Sequence, residues 1–243
     1  MIHICTLKYG TKYSSQNVNG LYDSVKKDCK EFNFYCLTDD VTNLYPDINI
    51  LKINDNLGFY SYFNKLRFYD GDFMGANYGD EIIILDIDLK FVGDSSKIIE
   101  YPVQKSEHLF EYRWSSGRKF LCPINSGVQK FLYDGSQKYV LDQFMENPDK
   151  WLLHDLKTIN DGGQFGDQTF VYDRLKHTHH IKYFPKQSIV RLKKSQSSME
   201  KLKRMYNDEF SDELFINNQL NPATVLVHYS GEDNDVFDVN FLK

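Results

Sequence analysis

The most constraining feature of the sequence is an aliphatic run that ends in two acids, EIIILDIDLKFVGD, at residues 81–94. The four consecutive aliphatic residues 82–85 are typical of a strand buried on both faces of a mainly parallel sheet. Open α/β sheets bind ligands at the carboxyl ends of their strands, so Asp86 and Asp88 are expected beside a ligand. On an extended backbone both carboxylates lie on one side, with Ile87 facing away. Their mutual repulsion favours a cation between them.

The acidic pair therefore predicts a divalent metal site. Carboxylate oxygens favour Mg²⁺ or Mn²⁺, which keep open positions for phosphate oxygens. His228 follows the short apolar run 225–227, and its nitrogen as a third ligand favours Mn²⁺. Each feature has a plain alternative, because an Asp-x-Asp triplet also occurs as a solvated turn and a histidine after a strand is commonly structural. His177, His179 and His180 are expected at an exposed helix end and lack the partners of a zinc site.

Apolar periodicity predicts alternating strands and helices in the first hundred residues. A strand ends near Leu7, a helix follows, and a second strand ends near Leu37. A third short strand is expected at 48–53, and Phe63, Leu66 and Tyr69 lie on one face of a further helix. The predicted fold class is therefore α/β, with a mainly parallel central sheet flanked by helices.

The second half of the chain has a less regular pattern. Helices are expected near 139–145 and 168–175, and the basic stretch 191–204 predicts either a surface loop with a short helix or a mobile flap. No linker composition separates the two halves. We therefore expect a single domain over residues 1–243, with the later half built onto the sheet of the first.

Charge and cysteine content limit the expected partners and compartment. The 243 residues include 34 acidic and 29 basic ones, a formal net charge of −5, and such a chain has no general attraction for nucleic acid. The four cysteines lack the spacing of a zinc site, and three lie among apolar neighbours like buried thiols, which fits a reducing compartment. The sequence contains neither a secretory leader nor a transmembrane run, so a cytoplasmic location is expected.

Three further polar features interrupt apolar segments. Lys65 lies on an otherwise apolar helix, and a cation near the acidic pair could neutralise phosphate charge. The Asn-Ser-Gly sequence 125–127 is predicted to form a small polar turn. Asp167 is expected to cap the N-terminus of a helix with Gln168 in its first turn, and capping alone would explain this pair.

Six motifs, taken in order along the chain, resemble those of the GT-A fold glycosyltransferases, especially family 8 with its glycogenin-like and galactosyltransferase-like members: CLTDD, NKLRFYD, ILDID, NSGV, GDQ and HYSG. The resemblance spans residues 2–231. It implies an enzyme that transfers a sugar from a nucleoside diphosphate donor, usually a uridine one, to a hydroxyl of a glycan or another acceptor. It also implies that residues 1–100 form the nucleotide-binding half and residues 101–243 the acceptor and donor-sugar half.

The same resemblance assigns roles to individual residues. The metal that bridges the diphosphate, Mn²⁺ or Mg²⁺, would be bound by Asp86, Asp88 and His228. The donor sugar and the reacting face would be contacted by Asn125, Asp167 and Gln168. The rest of the nucleotide sugar would be held by Thr6, Lys8, Tyr9, Tyr13, Asp39, Lys65, Ile87 and Ser126. In this last group the ring that stacks on the base would be Tyr9 or Tyr13.

The chain departs from the family pattern after His228. The family usually reads His-x-x-Gly-x-x-Lys-Pro-Trp, and the lysine assists the leaving diphosphate. This chain has the acidic segment 232–235 instead. Either Arg113, Arg118 or Lys193 supplies the cation, or the donor and mechanism differ, or activity is low.

The stereochemical expectation follows from the resemblance too. Family 8 members retain the anomeric configuration, and the sequence places no carboxylate as a covalent nucleophile. Retention by attack on the same face is therefore the hypothesis, with Asp167 and Gln168 holding the donor. If Asp167 acted as a base on the acceptor, inversion would be possible.

Two other functions stay open. A nucleotidyltransferase would use the same acidic pair to bind a nucleoside triphosphate. It would need a Gly-rich basic loop after the first strand, and KYGTKYSS is a poor version of one. A catalytically inactive fold that binds carbohydrate or a protein partner is favoured by the absence of the family lysine.

Overall fold

The structure is a computed structural model that describes residues 1–53, 61–112, 122–160, 166–193, 215–216 and 219–230. The strands in these residues are β1 (Ile2–Lys8), β2 (Asn33–Thr38), β3 (Asn49–Lys52), β4 (Glu81–Leu85), β5 (Leu89–Phe91), β6 (Glu107–Tyr112), β7 (Ile124–Leu132), β8 (His180–Tyr183), β9 (Ile189–Lys193), β10 (Phe215–Ile216), β11 (Gln219–Leu220) and β12 (Leu226–Ser230). Seven of them form the central sheet, in the order β3-β2-β1-β4-β7-β6-β8. A smaller sheet has the order β5-β12-β9, and β10 pairs with β11.

The aliphatic run before the acids is the middle strand of the central sheet. Residues Ile82, Ile83, Ile84 and Leu85 of β4 are each 0% exposed. Strand β4 runs parallel to β1 and antiparallel to β7. Strands β1, β2 and β3 are also mutually parallel, as are β6 and β8, so the prediction of a mainly parallel α/β sheet is confirmed.

Helices cover both faces of this sheet. They are α1 (Ser15–Asp28), α2 (Ser96–Ile99), α3 (Lys138–Met145), α4 (Pro148–Asn160) and α5 (Gly166–Leu175). Both α3 and α5 lie where the sequence predicts helices. The helix predicted around Phe63 and Tyr69 is instead a 3-10 helix, Ser61–Tyr69.

The core consists of two hydrophobic layers separated by the central sheet. Because side chains alternate along a strand, Ile82 and Ile84 belong to one layer and Ile83 and Leu85 to the other. The helix α1 packs into the layer of Ile83, whereas α3, α5 and the 3-10 helix Ser61–Tyr69 pack into the layer of Ile82. The acidic pair therefore directly follows a strand whose last four residues are completely buried.

The small sheet brings a distant part of the chain to the acidic pair. Strand β5 starts directly after Asp88 and pairs antiparallel with β12, with Leu89 opposite His228. The backbone N–H of Tyr229 also donates to the Asp88 carbonyl oxygen at 2.8 Å. His228 is thus held beside the acids by backbone pairing.

Three local predictions are wrong. The Asn-Ser-Gly sequence 125–127 is not a turn, because it lies inside β7, where Asn125 is opposite Glu111 of β6. His179 is buried and only 8% exposed. Its ring makes an edge contact with the ring of His108, and its Nε2 is hydrogen-bonded to the Ser136 hydroxyl. His228 is the third residue of β12 and does not follow its end.

The structure can also be compared with the expectations for the cysteines, for membrane-spanning helices and for the basic stretch 191–204. All four cysteines are buried thiols, as predicted for three of them. Among the described residues, no helix combines the length and the apolar character that crossing a membrane requires. Most of the basic stretch, residues 194–204, lies outside the described residues.

Candidate metal centre

The structure brings Asp86, Asp88 and His228 together. Each offers one ligand atom, and these atoms lie within 4.8 Å of one another. The Asp86 N–H donates to the carbonyl oxygen of Gly127 in β7 at 2.8 Å, which fixes the backbone directly after β4. Asp88 is fixed from the other side by β12. His228 Nε2 lies 3.5 Å from Asp88 Oδ1. Two carboxylates and one imidazole in this arrangement match the ligand types of a Mn²⁺ site.

The His228 ring is oriented by Glu111, a residue that the sequence analysis overlooked. Glu111 lies in β6 and is 1% exposed, and its Oε2 is 2.7 Å from His228 Nδ1. Its Oε1 accepts a hydrogen bond from Asn125 Nδ2 at 3.3 Å. The only sequence signal was an acid inside the apolar segment HLFEY, and 117 positions separate Glu111 from its partner. A buried acid of this kind requires a partner.

A register shift between β6 and β7 makes room for this contact. Phe110 is opposite Gln129, but the next residue, Glu111, is opposite Asn125. Such irregularities bend a strand and redirect its side chains. A Cβ at Gly127 would overlap His228 Cε1 and lie 2.8 Å from His228 Nδ1. Glycine at 127 is therefore required by the close approach of the ring.

Lys65 connects the acidic pair to a third carboxylate, that of Asp167. Its Nζ lies 2.9 Å from Asp86 Oδ1 and 2.8 Å from Asp167 Oδ2. The Ser126 hydroxyl donates to the same Asp167 oxygen at 2.8 Å. Lys65, Ser126 and Asp167 are all buried. The 3-10 helix, β7 and α5 thus each supply one member of a buried polar cluster next to the metal-ligand atoms.

The protonation of these groups follows from burial and from neighbouring charges. Burial lowers the pKa of Lys65, but Asp167 and Asp86 outweigh it and raise that pKa above its ordinary value. Burial likewise acts to lower the pKa of His228, and Glu111 and Asp88 raise it to about 10. The pKa of Asp86 is raised by burial and by Asp88 despite Lys65. Burial acts to raise the pKa of Asp88, and the charge of His228 reverses this and lowers it.

The residues present fit a divalent cation. The described cluster contains four carboxylates, of Asp86, Asp88, Glu111 and Asp167, but only two cationic side chains, of Lys65 and His228. Fully ionised, it carries an excess of two negative charges in a largely buried position. A dication that replaced the Nε2 proton of His228 would reduce this excess to a single negative charge.

Four of the residues predicted to bind the nucleotide lie in or near β1, and they differ in burial and in hydrogen-bond partners. Thr6 and Lys8 are buried in β1, and Lys8 Nζ is 3.3 Å from Asp40 Oδ2. Asp39 accepts a hydrogen bond from the Gly10 N–H at 2.8 Å, which ties the end of β2 to the turn after β1. Tyr9 is 36% exposed.

Among the predicted nucleotide-binding residues near β1, Tyr13 contacts the acidic pair. Its hydroxyl donates to Asp88 Oδ2 at 3.2 Å, and Lys12 Nζ lies 5.0 Å from its ring centroid. Ile87 is buried in the core layer of Ile83, and the backbone at residues 87–88 forms a turn between β4 and β5 instead of the extended chain that was predicted. A cavity of about 320 Å³ lies beside Asp88, between α1 and the segment 87–90.

The predicted donor-sugar residues lie close to one another. Asn125 Nδ2 donates to Glu111, and its Oδ1 accepts from the Gly127 N–H at 2.9 Å. Asp167 is not an N-cap, because α5 begins at Gly166, and it lies buried in the first turn. Gln168 is in that first turn as predicted and is partly exposed.

The proposed substitutes for the family lysine are not placed by the structure. Arg113 and Arg118 lie outside the described residues, and so does the acidic segment 232–235. Of Lys193, only the backbone in β9 is described.

Without metal, we expect part of the protein's stability to depend on protonated His228. Its pKa is about 10 in the folded protein and about 6.5 in an unfolded chain. A raised pKa stabilises the fold fully below pH 6.5 and loses this effect as the pH rises through 10. With a chelator present, the melting temperature of the wild type relative to His228→Gln should therefore be highest near pH 6 and fall towards pH 10. A difference that grew with pH would contradict this assignment.

The architecture is that of the GT-A fold. No protein-family model matches the sequence, and no curated protein matches it. Solved structures do match it, at sequence identities low enough that the likeness concerns the fold alone.

Three of these solved structures illustrate the likeness. Galactosyltransferase LgtC, in complex with donor and acceptor sugar analogs, has a TM-score of 0.59 and 14% identity, over 94% of this chain and 87% of that one. Glycosyltransferase GlyE of Streptococcus pneumoniae TIGR4 has a TM-score of 0.57 and 15% identity, over 94% of this chain but only 54% of its own. Mouse xyloside xylosyltransferase 1 has a TM-score of 0.54 and 12% identity, over 93% and 96%.

Proposed function

We propose that this protein is a metal-dependent glycosyltransferase that moves a sugar from a nucleoside diphosphate donor, a uridine one in our proposal, to a hydroxyl of a glycan or other carbohydrate. The observation that carries the proposal is the cluster of Asp86, Asp88 and His228 at the carboxyl end of the central strand. The glycosyltransferases that share the fold support the class of reaction. Because this likeness concerns the fold alone, the particular donor and acceptor are part of the proposal.

Each part of the site has a role in this proposal. Asp86, Asp88 and His228 would hold Mn²⁺, or Mg²⁺ in its place. When bound, the dication supplies stabilisation of the negative charge that develops on the departing diphosphate. Lys65 adds a fixed positive charge between Asp86 and Asp167. Tyr13 donates a hydrogen bond to Asp88, and in this proposal its ring would contact the nucleoside.

The donor sugar would lie against Ser126, Asp167 and Gln168. Asp167 is engaged by both Lys65 and Ser126, and Glu111 is engaged by both His228 and Asn125. A carboxylate held in this way is poorly placed to act as a nucleophile or as a base. We therefore propose that the anomeric configuration is retained by attack on the same face. The anomeric coupling constant in the product NMR spectrum decides between retention and inversion.

Donor hydrolysis tests the proposed function. With Mn²⁺ and a panel of nucleotide sugars, we expect the protein to release nucleoside diphosphate slowly from one of them even without an acceptor. A chelator should abolish the release and added Mn²⁺ should restore it, because the charge on the leaving group is otherwise uncompensated.

The same assay separates the alternatives. A nucleotidyltransferase would release pyrophosphate from a nucleoside triphosphate and would leave nucleotide sugars intact. If no donor is turned over while one of them raises the melting temperature in the presence of Mn²⁺, the protein is a binding fold without activity. The release of nucleoside diphosphate without any dependence on metal would contradict the proposed role of the acidic pair.

A further inference from the structure

We propose that Glu111 is a positioning residue of the metal centre, which holds the His228 ring so that Nε2 faces Asp88. This inference rests on the proposed function, because it takes His228 as a metal ligand. It goes beyond that function by assigning the geometry of the ligand to a residue of another strand. Glu111 is not one of the three residues that offer ligand atoms, and it contacts His228 through Nδ1 at 2.7 Å.

The first argument is the pattern of hydrogen bonds. The two nitrogens of the His228 ring face two different carboxylates, with Nδ1 2.7 Å from Glu111 Oε2 and Nε2 3.5 Å from Asp88 Oδ1. A carboxylate is an acceptor only, so Glu111 requires a proton on Nδ1. When the ring is neutral, as a metal ligand must be, its lone pair is then on Nε2, the nitrogen beside the acidic pair. Carboxylates that bind the far nitrogen of a histidine fix its orientation in metal sites generally.

The second argument is that both oxygens of Glu111 are used. Asn125 Nδ2 donates to Oε1, and the His228 ring contacts Oε2. A glutamine at 111 has one acceptor oxygen and one amino group, so it cannot present an acceptor at both terminal positions. Its amino group would face either the Asn125 amide or His228 Nδ1. In the second case the ring would carry its proton on Nε2, where it blocks coordination.

The third argument is the shape of the space around the ring. The strand β7 approaches the ring with a bare backbone at Gly127, where a Cβ would lie 3.1 Å from Glu111 Oε2 and 2.8 Å from His228 Nδ1. The register shift between Phe110 and Glu111 places the acid against this gap. Ring, carboxylate and glycine thus fit one another, and all three are buried.

The test is a titration of metal-free protein with Mn²⁺, followed by electron paramagnetic resonance. We expect Glu111→Gln to bind Mn²⁺ about 10- to 100-fold more weakly than the wild type, the usual effect of removing the partner of a metal-bound histidine. The nitrogen coupling in pulsed spectra, which reports coordination by His228, should weaken in the variant. Glu111→Asp keeps both acceptor oxygens and should recover part of the affinity.

Glu107→Gln is the matched control, because it changes the same residue type at the other end of β6, where Glu107 accepts from the Gln104 N–H. It should bind Mn²⁺ like the wild type. If the wild type binds no Mn²⁺, the proposed function fails together with this inference. If the wild type binds Mn²⁺ and Glu111→Gln has the same affinity and nitrogen coupling, Glu111 is merely structural and only this inference fails. If Glu111→Gln does not fold, Glu111→Asp provides the test instead. Its shorter side chain should still weaken Mn²⁺ binding, so an affinity and a nitrogen coupling equal to those of the wild type would also overturn the inference.

Discussion

Replacing Asp88 by asparagine is expected to lower the rate of donor hydrolysis by about 10²-fold or more, the scale of losing one preorganised charge-stabilising group. Asparagine keeps the shape of the side chain but removes the charge next to His228 Nε2, which is 3.5 Å away. The site would then hold a dication with one carboxylate fewer. The measurement is the rate of nucleoside diphosphate release at saturating Mn²⁺, together with the Mn²⁺ affinity.

Asp72→Asn is the control for this change. Asp72 is exposed, in the 3-10 helix Gly71–Met74 that precedes the amino end of β4, whereas Asp88 follows its carboxyl end. The same chemical change there should leave hydrolysis within twofold of the wild type, roughly the effect of an ordinary surface substitution. A fully active Asp88→Asn variant that still needs Mn²⁺ would remove the acidic pair from the mechanism.

Replacing Lys65 by alanine is expected to destabilise the metal-free protein strongly. The change leaves Asp86 and Asp167 without their common cation, and removal of one partner from a buried pair typically costs about 3–5 kcal/mol. For a chain of this size that corresponds to a drop in melting temperature on the order of 10 °C. Donor hydrolysis should fall too, because the same ammonium lies between the metal ligand and the donor-sugar cluster.

Lys138→Ala provides a contrast at an exposed pair in which the lysine contacts a single carboxylate. Lys138 Nζ is also 2.8 Å from a carboxylate oxygen, that of Asp70, but its side chain is 41% exposed against 6% for Lys65. Exposed pairs contribute about 0–1 kcal/mol, so its melting temperature should change by a few degrees at most. Added Mn²⁺ should restore part of the stability of Lys65→Ala, since it supplies positive charge to Asp86. Equal effects of the two substitutions would show that the buried cluster has no special role.

The parts of the fold that were predictable from sequence are those specified by local patterns. Four aliphatic residues in succession need burial on both faces, so β4 had to be an inner strand, and the acids after it had to emerge at its end. The helices α1 and α5 follow from helical spacing of apolar residues in the same way. Burial of one face is enough to determine such elements.

The parts that were not predictable depend on contacts between distant segments. The sequence 125–127 has the composition of a turn, but it lies inside β7, where Asn125 is opposite Glu111 of β6. The close approach of His228 accounts for its glycine. Glu111 gave only a weak signal because its partner is 117 positions away. Lys65 and Asp167 were each singled out, yet their ion pair required the packing of α5 against the 3-10 helix Ser61–Tyr69.

The pairing of β12 with β5 also sets an order of events during synthesis on the ribosome. The two aspartates emerge early, but the histidine beside them arrives about 140 residues later, on a strand that needs both β5 and β9 as neighbours. A nascent chain can therefore assemble most of the large sheet before it has a complete set of ligand atoms. In the proposed function, a cation would therefore be bound only after β12 has paired with β5, late in folding.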